Sequence, residues 1–145
     1  MQIETTRFGQ VQFEKTDVIT FESGLIGMES CCRWVLLADA NNLLLGWLQS
    51  LDRADVALAV VSPRRFVSDY QVRVRAVDLE PLKLPTPEAA QVLVVVSKSG
   101  GSLAVNLKAP VVINLEQRTG RQIIAKDDHE VQHLVKATLP LRRTA

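Results

Sequence analysis

The chain has 145 residues, 47% of them hydrophobic and 23% charged, with a formal net charge of +1. That length suits one domain, residues 1–145, able to bury most of its apolar surface without disulfides or metal, and the composition excludes disorder as the main state. Near-neutral charge gives no overall electrostatic reason for a nucleic-acid or membrane partner; no apolar run approaches the ~18 residues of a membrane span, and MQIETTRFGQ lacks the build of a secretion signal. A soluble cytoplasmic protein is expected.

Charge is uneven along the chain. Residues 1–32 carry Glu4, Glu14, Asp17, Glu22 and Glu29 against Arg7 and Lys15, an acidic face available to a basic partner, while Arg64, Arg65, Arg73 and Arg75 form a basic stretch. Cys31 and Cys32 are adjacent, which suits neither an ordinary disulfide nor a C-x-x-C site, so both are expected as reduced, packed thiols.

Short runs rich in Val, Ile and Thr, punctuated by Gly, Pro, Asn or Asp, predict an all-β fold. QVQFEK and VITFE read as strands, and SGLIGMES as a loop in which Gly24 and Gly27 supply backbone conformations other residues avoid. RWVLLA and LLLGWLQSL follow as strands, then the turn DRAD, then VALAVV, a buried strand stopped by Pro63. YQVRVRAV alternates most clearly and predicts a strand with Val72, Val74 and Ala76 on one face and Gln71, Arg73 and Arg75 toward solvent. DLEPLKLPTPEAAQ, with three prolines, predicts a short helical turn and loop, and VLVVV a strand buried on both faces.

KSGGS predicts a turn, and LAVNLKAPVVINLEQRTGRQIIAK two or three strands. Pro110 removes a ladder donor, so this strand lies at an edge, bulges, or breaks into two pieces that turn a corner, as in a small closing barrel. The stretch 118–121 reads as a hairpin tip between VVINL and QIIAK. With no long helical window, a parallel β-α-β fold is not expected. The prediction is a small antiparallel β-barrel-like domain with one or two short helical turns.

Three chemistries have some footing in the residues. HEVQH matches the H-E-x-x-H zinc signature: on a helix His129 and His133 would share a face and Glu130 would polarise a bound water. These are the only histidines, and the tail after them supplies no histidine, carboxylate or cysteine as third ligand, so the expected reading is a solvated turn, with a zinc hydrolase as rival. No G-x-S-x-G elbow, P-loop or G-x-G-x-x-G fingerprint is present. Phe66 and Tyr70 beside the four arginines could make a small RNA-binding barrel, but aromatics are 5% of the chain, and core packing is the expected role for them and for Trp34 and Trp47.

FESGLIGMESCCRWVLL, WLQSLDRADVALAVVSPRRFVSDYQV and VNLKAPVVINLEQRTGRQIIAKD, in that order, resemble the flagellar assembly factor FliW family over nearly the whole chain. The specific elements are the G-L-x-G turn from Gly24 to Gly27, L-Q-S from Leu48 to Ser50, Pro63 followed by Asp69-Tyr70, N-L-K-A-P from Asn106 to Pro110, and Gln122. The resemblance implies a β-rich, barrel-like monomer without catalytic activity or cofactor. It further implies a partner switch that binds the RNA-binding translational regulator CsrA, relieving repression of flagellin synthesis, and is itself sequestered by flagellin. It also implies that HEVQH is a coincidence, because the family usually has a tyrosine at the position of His129.

The family commonly has a proline and an aromatic in the glycine loop and a phenylalanine before Pro63, where this chain has Ile26, Met28 and Leu58 or Ala59. Glu130 and Gln132 also depart from it. A basic RNA-binding partner calls for acidic side chains around an apolar contact. Leu25, Met28, Glu29, Gln49, Asp52, Asp55 and Asp69 are therefore expected on partner surfaces, while Asn106, Pro110 and Gln122 can equally be structural, fixing the strand corner.

Overall fold

Alternating apolar residues and turn-forming breaks give a chain of short strands, seven of which close on themselves. The structure, a computed structural model, describes residues 1–71, 73–126, 129–131 and 133–134. Val72, Asp127, Asp128, Gln132 and the tail from residue 135 lie outside the described residues.

Strands β1 (Gln2–Thr5) and β2 (Gly9–Gln12) form a separate hairpin. An antiparallel meander follows: β3 (Val18–Thr20), β4 (Arg33–Ala38), β5 (Gly46–Ser50), β6 (Ala57–Val61) and β7 (Gln91–Ser99). The long β7 pairs at its far end with β8 (Ser102–Val105) and at its near end with β9 (Val111–Asn114). β9 continues into β10 (Thr119–Gln122), whose Thr119 meets Thr20 of β3 in a parallel pair. The ring is thus β3-β4-β5-β6-β7-β9-β10, antiparallel except at this closing seam, with β8 and β11 (His133–Leu134) as an outlying flap. The barrel-like all-β expectation holds.

Three apolar layers hold it together. Ile19, Phe21, Leu25, Trp34, Leu48, Val60, Leu93, Val111 and Ile113 fill the barrel. Leu45, Val61, Tyr70, Val94, Val105 and Leu107 form a second core outside the wall, and Leu82, Val112 and Ile123 a third, beneath the helix α1 (Ala76–Leu79) and the 3-10 turn at Glu80–Leu82. Neighbouring residues of one strand therefore serve different cores: Leu93 and Val94 in β7, and Val111 and Val112 in β9. This is why VLVVV and VVIN are continuous rather than alternating runs. Each such side chain contributes about 1.5–3 kcal/mol of burial.

Pro110 stands where the continuous run is cut into β8 and β9, so its role is the corner. The Asn106 side chain accepts from the N–H groups of Lys108 and Ala109 (both 3.1 Å), shaping the turn before it. The free thiols of Cys31, buried, and Cys32, half-buried, are as expected.

Several expectations need correction. YQVRVRAV is not a strand: its described residues up to Arg75 are irregular and Ala76–Leu79 is helical. Arg73 and Arg75 are exposed as expected and Val74 packs into the third core, but Ala76 is exposed. Val74 packs inward without a neighbouring strand to pair with, and the Arg75–Asp78 contact (3.0 Å) favours a helical turn instead. The second hairpin tip lies at residues 115–118, not 118–121, because Asn114 Oδ1 accepts from the N–H groups of Glu116 and Gln117 (3.1 Å each) and starts the turn there. QVQFEK leaves the ladder after Gln12 and enters a 3-10 turn at Lys15–Asp17, while the strand Gln2–Thr5 went unread.

Candidate partner-binding face

One mouth of the barrel is capped by the loop after β3, and the conformation of two glycines makes that loop possible. Gly24 and Gly27 have φ of +65° and +85°. A Cβ on Gly24 would lie 2.5 Å from the Met28 carbonyl oxygen, so the position excludes every larger residue twice over. Within the turn, Met28 N–H donates to the Leu25 carbonyl (2.8 Å) and Cys31 N–H to that of Met28 (3.0 Å). Gln122 then ties the loop to the strand corner: its Oε1 accepts from Ile26 N–H (2.9 Å) and its Nε2 donates to the Ala109 carbonyl (3.0 Å). The G-L-x-G, N-L-K-A-P and Gln122 signatures, far apart in sequence, meet here.

Beside this loop, the residues between β5 and β6 are held by buried polar groups. Gln49 is fully buried and its Nε2 donates to the carbonyls of Ser50 (2.9 Å) and Val56 (3.0 Å). Ser50 Oγ accepts from the N–H groups of Asp52 (3.1 Å) and Arg53 (2.9 Å). Asp52 reaches across to β4: its Oδ2 accepts from Cys32 N–H (2.8 Å) and Arg33 N–H (2.9 Å), and its Oδ1 lies 3.3 Å from the Arg33 guanidinium. Partial burial pushes the Asp52 carboxyl up, but the Arg33 and Cys32 N–H groups and the guanidinium outweigh this and hold it below the ordinary carboxylate range.

The anticipated surface residues separate accordingly. Leu25, 1% exposed, and Gln49, 0% exposed, lie beneath the surface, a correction to their placement on it. Met28 is half-buried against the barrel core; Glu29, Asp55 and Asp69 are exposed, Asp55 paired with Arg53 at 2.9 Å. The Cys32 thiol lies 3.8 Å from the backbone carbonyl of Glu22 and 3.7 Å from that of Glu29, contacts that fold the loop back on itself, and both glutamates are exposed. Sequence reasoning named Ile26 only as a departure within the glycine loop and not as a contact residue; it is 54% exposed at the loop tip.

The rival chemistries lack their geometry. His129 and Glu130 lie outside any helix and His133 begins a strand, so the HEVQH histidines do not share a helical face. His129 Nε2 is 2.7 Å from the Gln71 carbonyl and its ring rests 4.8 Å from Tyr70. Tyr70 is itself buried, its hydroxyl donating to the Leu107 carbonyl (2.8 Å), and Phe66 packs on the same core, so neither ring offers a stacking platform for bases. No cluster of metal-binding side chains is found among the described residues.

Seven strands closed by one parallel seam, with a glycine turn over the mouth, place the molecule among small closed β-barrels with loop-built surfaces. The family model of the FliW protein matches residues 2–135, and the chain belongs to that family. The flagellar assembly factor FliW of Bdellovibrio bacteriovorus is 38% identical over 131 residues, covering 89% of this chain and 75% of that protein. That of Natranaerobius thermophilus is 34% identical over 137 residues, covering 92% and 91%. A crystal structure of the flagellar assembly factor FliW has the same fold, with a TM-score of 0.87 over 95% of this chain and 99% of that one at 23% identity.

Proposed function

We propose that the protein is a non-enzymatic flagellar assembly factor acting in the cytoplasm as a partner switch. It binds and antagonises the translational regulator CsrA and is itself sequestered by flagellin, so that flagellin translation follows filament assembly. The observation that carries this reading is the family match over residues 2–135. The exposed glutamates of the glycine loop support it: a regulator that binds RNA presents a basic surface, which Glu22 and Glu29 on either side of the turn would attract, with Met28 supplying apolar contact. Asp55 and Asp69 are exposed as well, and are the further acidic positions proposed to meet a basic partner.

The test is a calorimetric titration of the chain with CsrA, repeated after saturation with flagellin from the same source. Saturable heat that flagellin abolishes is expected; no heat with either active partner refutes the switch. Glu29→Lys should weaken CsrA binding and flatten its salt dependence, and unchanged affinity at low salt removes electrostatics from the mechanism. Glu29 is the cleaner position for this test, since Asp52 also supports its own loop.

A further inference from the structure

Beyond β10 the chain runs along an open groove of ≈ 460 Å³ lined by the consecutive residues 121–126, together with Ile26, Arg75 and Asp78. Residues of both faces of an extended segment line one groove only when the groove lies along the segment's edge. The hydrogen bonds agree. Ile123 N–H donates to the Pro110 carbonyl (3.0 Å) and Ala125 N–H to that of Lys108 (2.8 Å), so the odd-numbered residues bond toward β9. The even-numbered ones point the other way: the Arg118 carbonyl accepts from Thr20 N–H (2.9 Å), and Lys126 N–H donates to the Arg73 carbonyl (2.7 Å). Between these two ties β3 has already ended, and Ile124 makes no backbone hydrogen bond among the described residues.

The middle of this edge is apolar, with charge only at its two ends, Arg121 and Lys126. Exposed edges are normally covered, twisted away or studded with charge. Here Ile124 is 56% and Ile26 54% exposed. The charged residues lining the groove are Arg75, Arg121 and Lys126 against the single anion Asp78, which already bonds Arg75 and lies 4.0 Å from Arg121. The excess is cationic. A second copy of the chain would bring the same cations, and the chain's own tail carries Lys136, Arg142 and Arg143, so charge disfavours both as occupants.

We propose that this groove is a strand-addition site for an extended acidic peptide. The peptide backbone would pair with the outward N–H and C=O of Ile124, its alternate apolar side chains would cover Ile26 and Ile124, and its carboxylates would meet Arg121 and Lys126. The inference stands apart from the partner switch, since it rests on the strand edge and not on the family.

The test uses the isotope-labelled full chain and an eight-residue, end-blocked peptide alternating valine and glutamate, followed by amide chemical shifts. Saturable shifts centred on Gln122, Ile124 and Ile26 are expected, with the same peptide carrying lysine for glutamate binding at least about tenfold more weakly. Ile124→Pro removes an N–H the fold does not use and should weaken binding about fivefold or more. Lys126→Glu, at an exposed side chain, should weaken it as well and serves if the proline variant does not fold. Four results would overturn the proposal: no shifts at millimolar peptide, shifts centred elsewhere, equal binding of the lysine peptide, or full affinity in folded Ile124→Pro and Lys126→Glu. Contacts between residues 135–145 and Ile124 in the free chain would overturn it too, by making the tail the occupant.

Discussion

A single Cβ at Gly24 would meet both a left-handed φ and the Met28 carbonyl oxygen at 2.5 Å. Gly24→Ala is therefore expected to cost at least about 2 kcal/mol, seen as a fall in melting temperature of roughly 6 °C or more. Asp52 makes a different kind of prediction. Its carboxyl is held below the ordinary range, so its contribution is complete above the unfolded value of about 4 and disappears as pH falls through the lower folded value. Asp52→Ala should cost about 1–3 kcal/mol in urea titrations at pH 7, and the gap between variant and parent should narrow in more acidic buffer. Gly24 and Gly27 were legible in the sequence because backbone demands are local, while Asn106 entered only through the family resemblance. The burial of Leu25 and Gln49 was not legible: Gln49 is buried because the adjoining β5–β6 turn brings the carbonyls of Ser50, Ala54 and Val56 round its side-chain amide, a conformation the residue types alone do not announce.

At the scale of elements, the strands of the meander were readable, whereas most of β10 was read as a hairpin tip and the segment between β6 and β7 as a strand. RWVLLA matches β4 residue for residue, whereas YQVRVRAV has the pattern of a strand but no ladder to join. Asn114 links that irregular segment to the barrel: its Oδ1 starts the β9–β10 turn and its Nδ2 donates to the Leu82 carbonyl at 2.8 Å. Asn114→Ala should cost about 2–3 kcal/mol and speed hydrogen exchange in both the 115–118 turn and the 76–82 helical turns. A variant in which only the turn exchanges faster would show that Asn114 does not hold the two together. The β1–β2 hairpin docks through Arg7, whose guanidinium lies 4.4 Å over the Trp47 ring, with Phe8 edge-on at 5.6 Å. Arg7→Ala should cost about 0.5–1 kcal/mol.

For the molecule as a whole, the barrel was foreshadowed by the proline corner, but the way it closes was not, since nothing local marks Thr20 and Thr119 as partners. The seam is held by few groups: the parallel pair itself, Arg118 donating to the Asp17 carbonyl at 2.7 Å, and the fit of Gly120 against Phe21. A Cβ on Gly120 would lie 2.4 Å from that ring, so Gly120→Ala should cost about 2–3 kcal/mol in urea unfolding by forcing β10 off the core. The seam also sets a schedule for synthesis on the ribosome. The Asp17–Arg118 contact spans 101 residues, and β10 is the last strand of the ring to be made. Until it emerges, the nascent meander has two bare edges, at β3 and β9, and no lid over Phe21. Chains stalled before residue 119 should therefore be held by chaperones or precipitate, and the native barrel should form in one step once β10 has emerged.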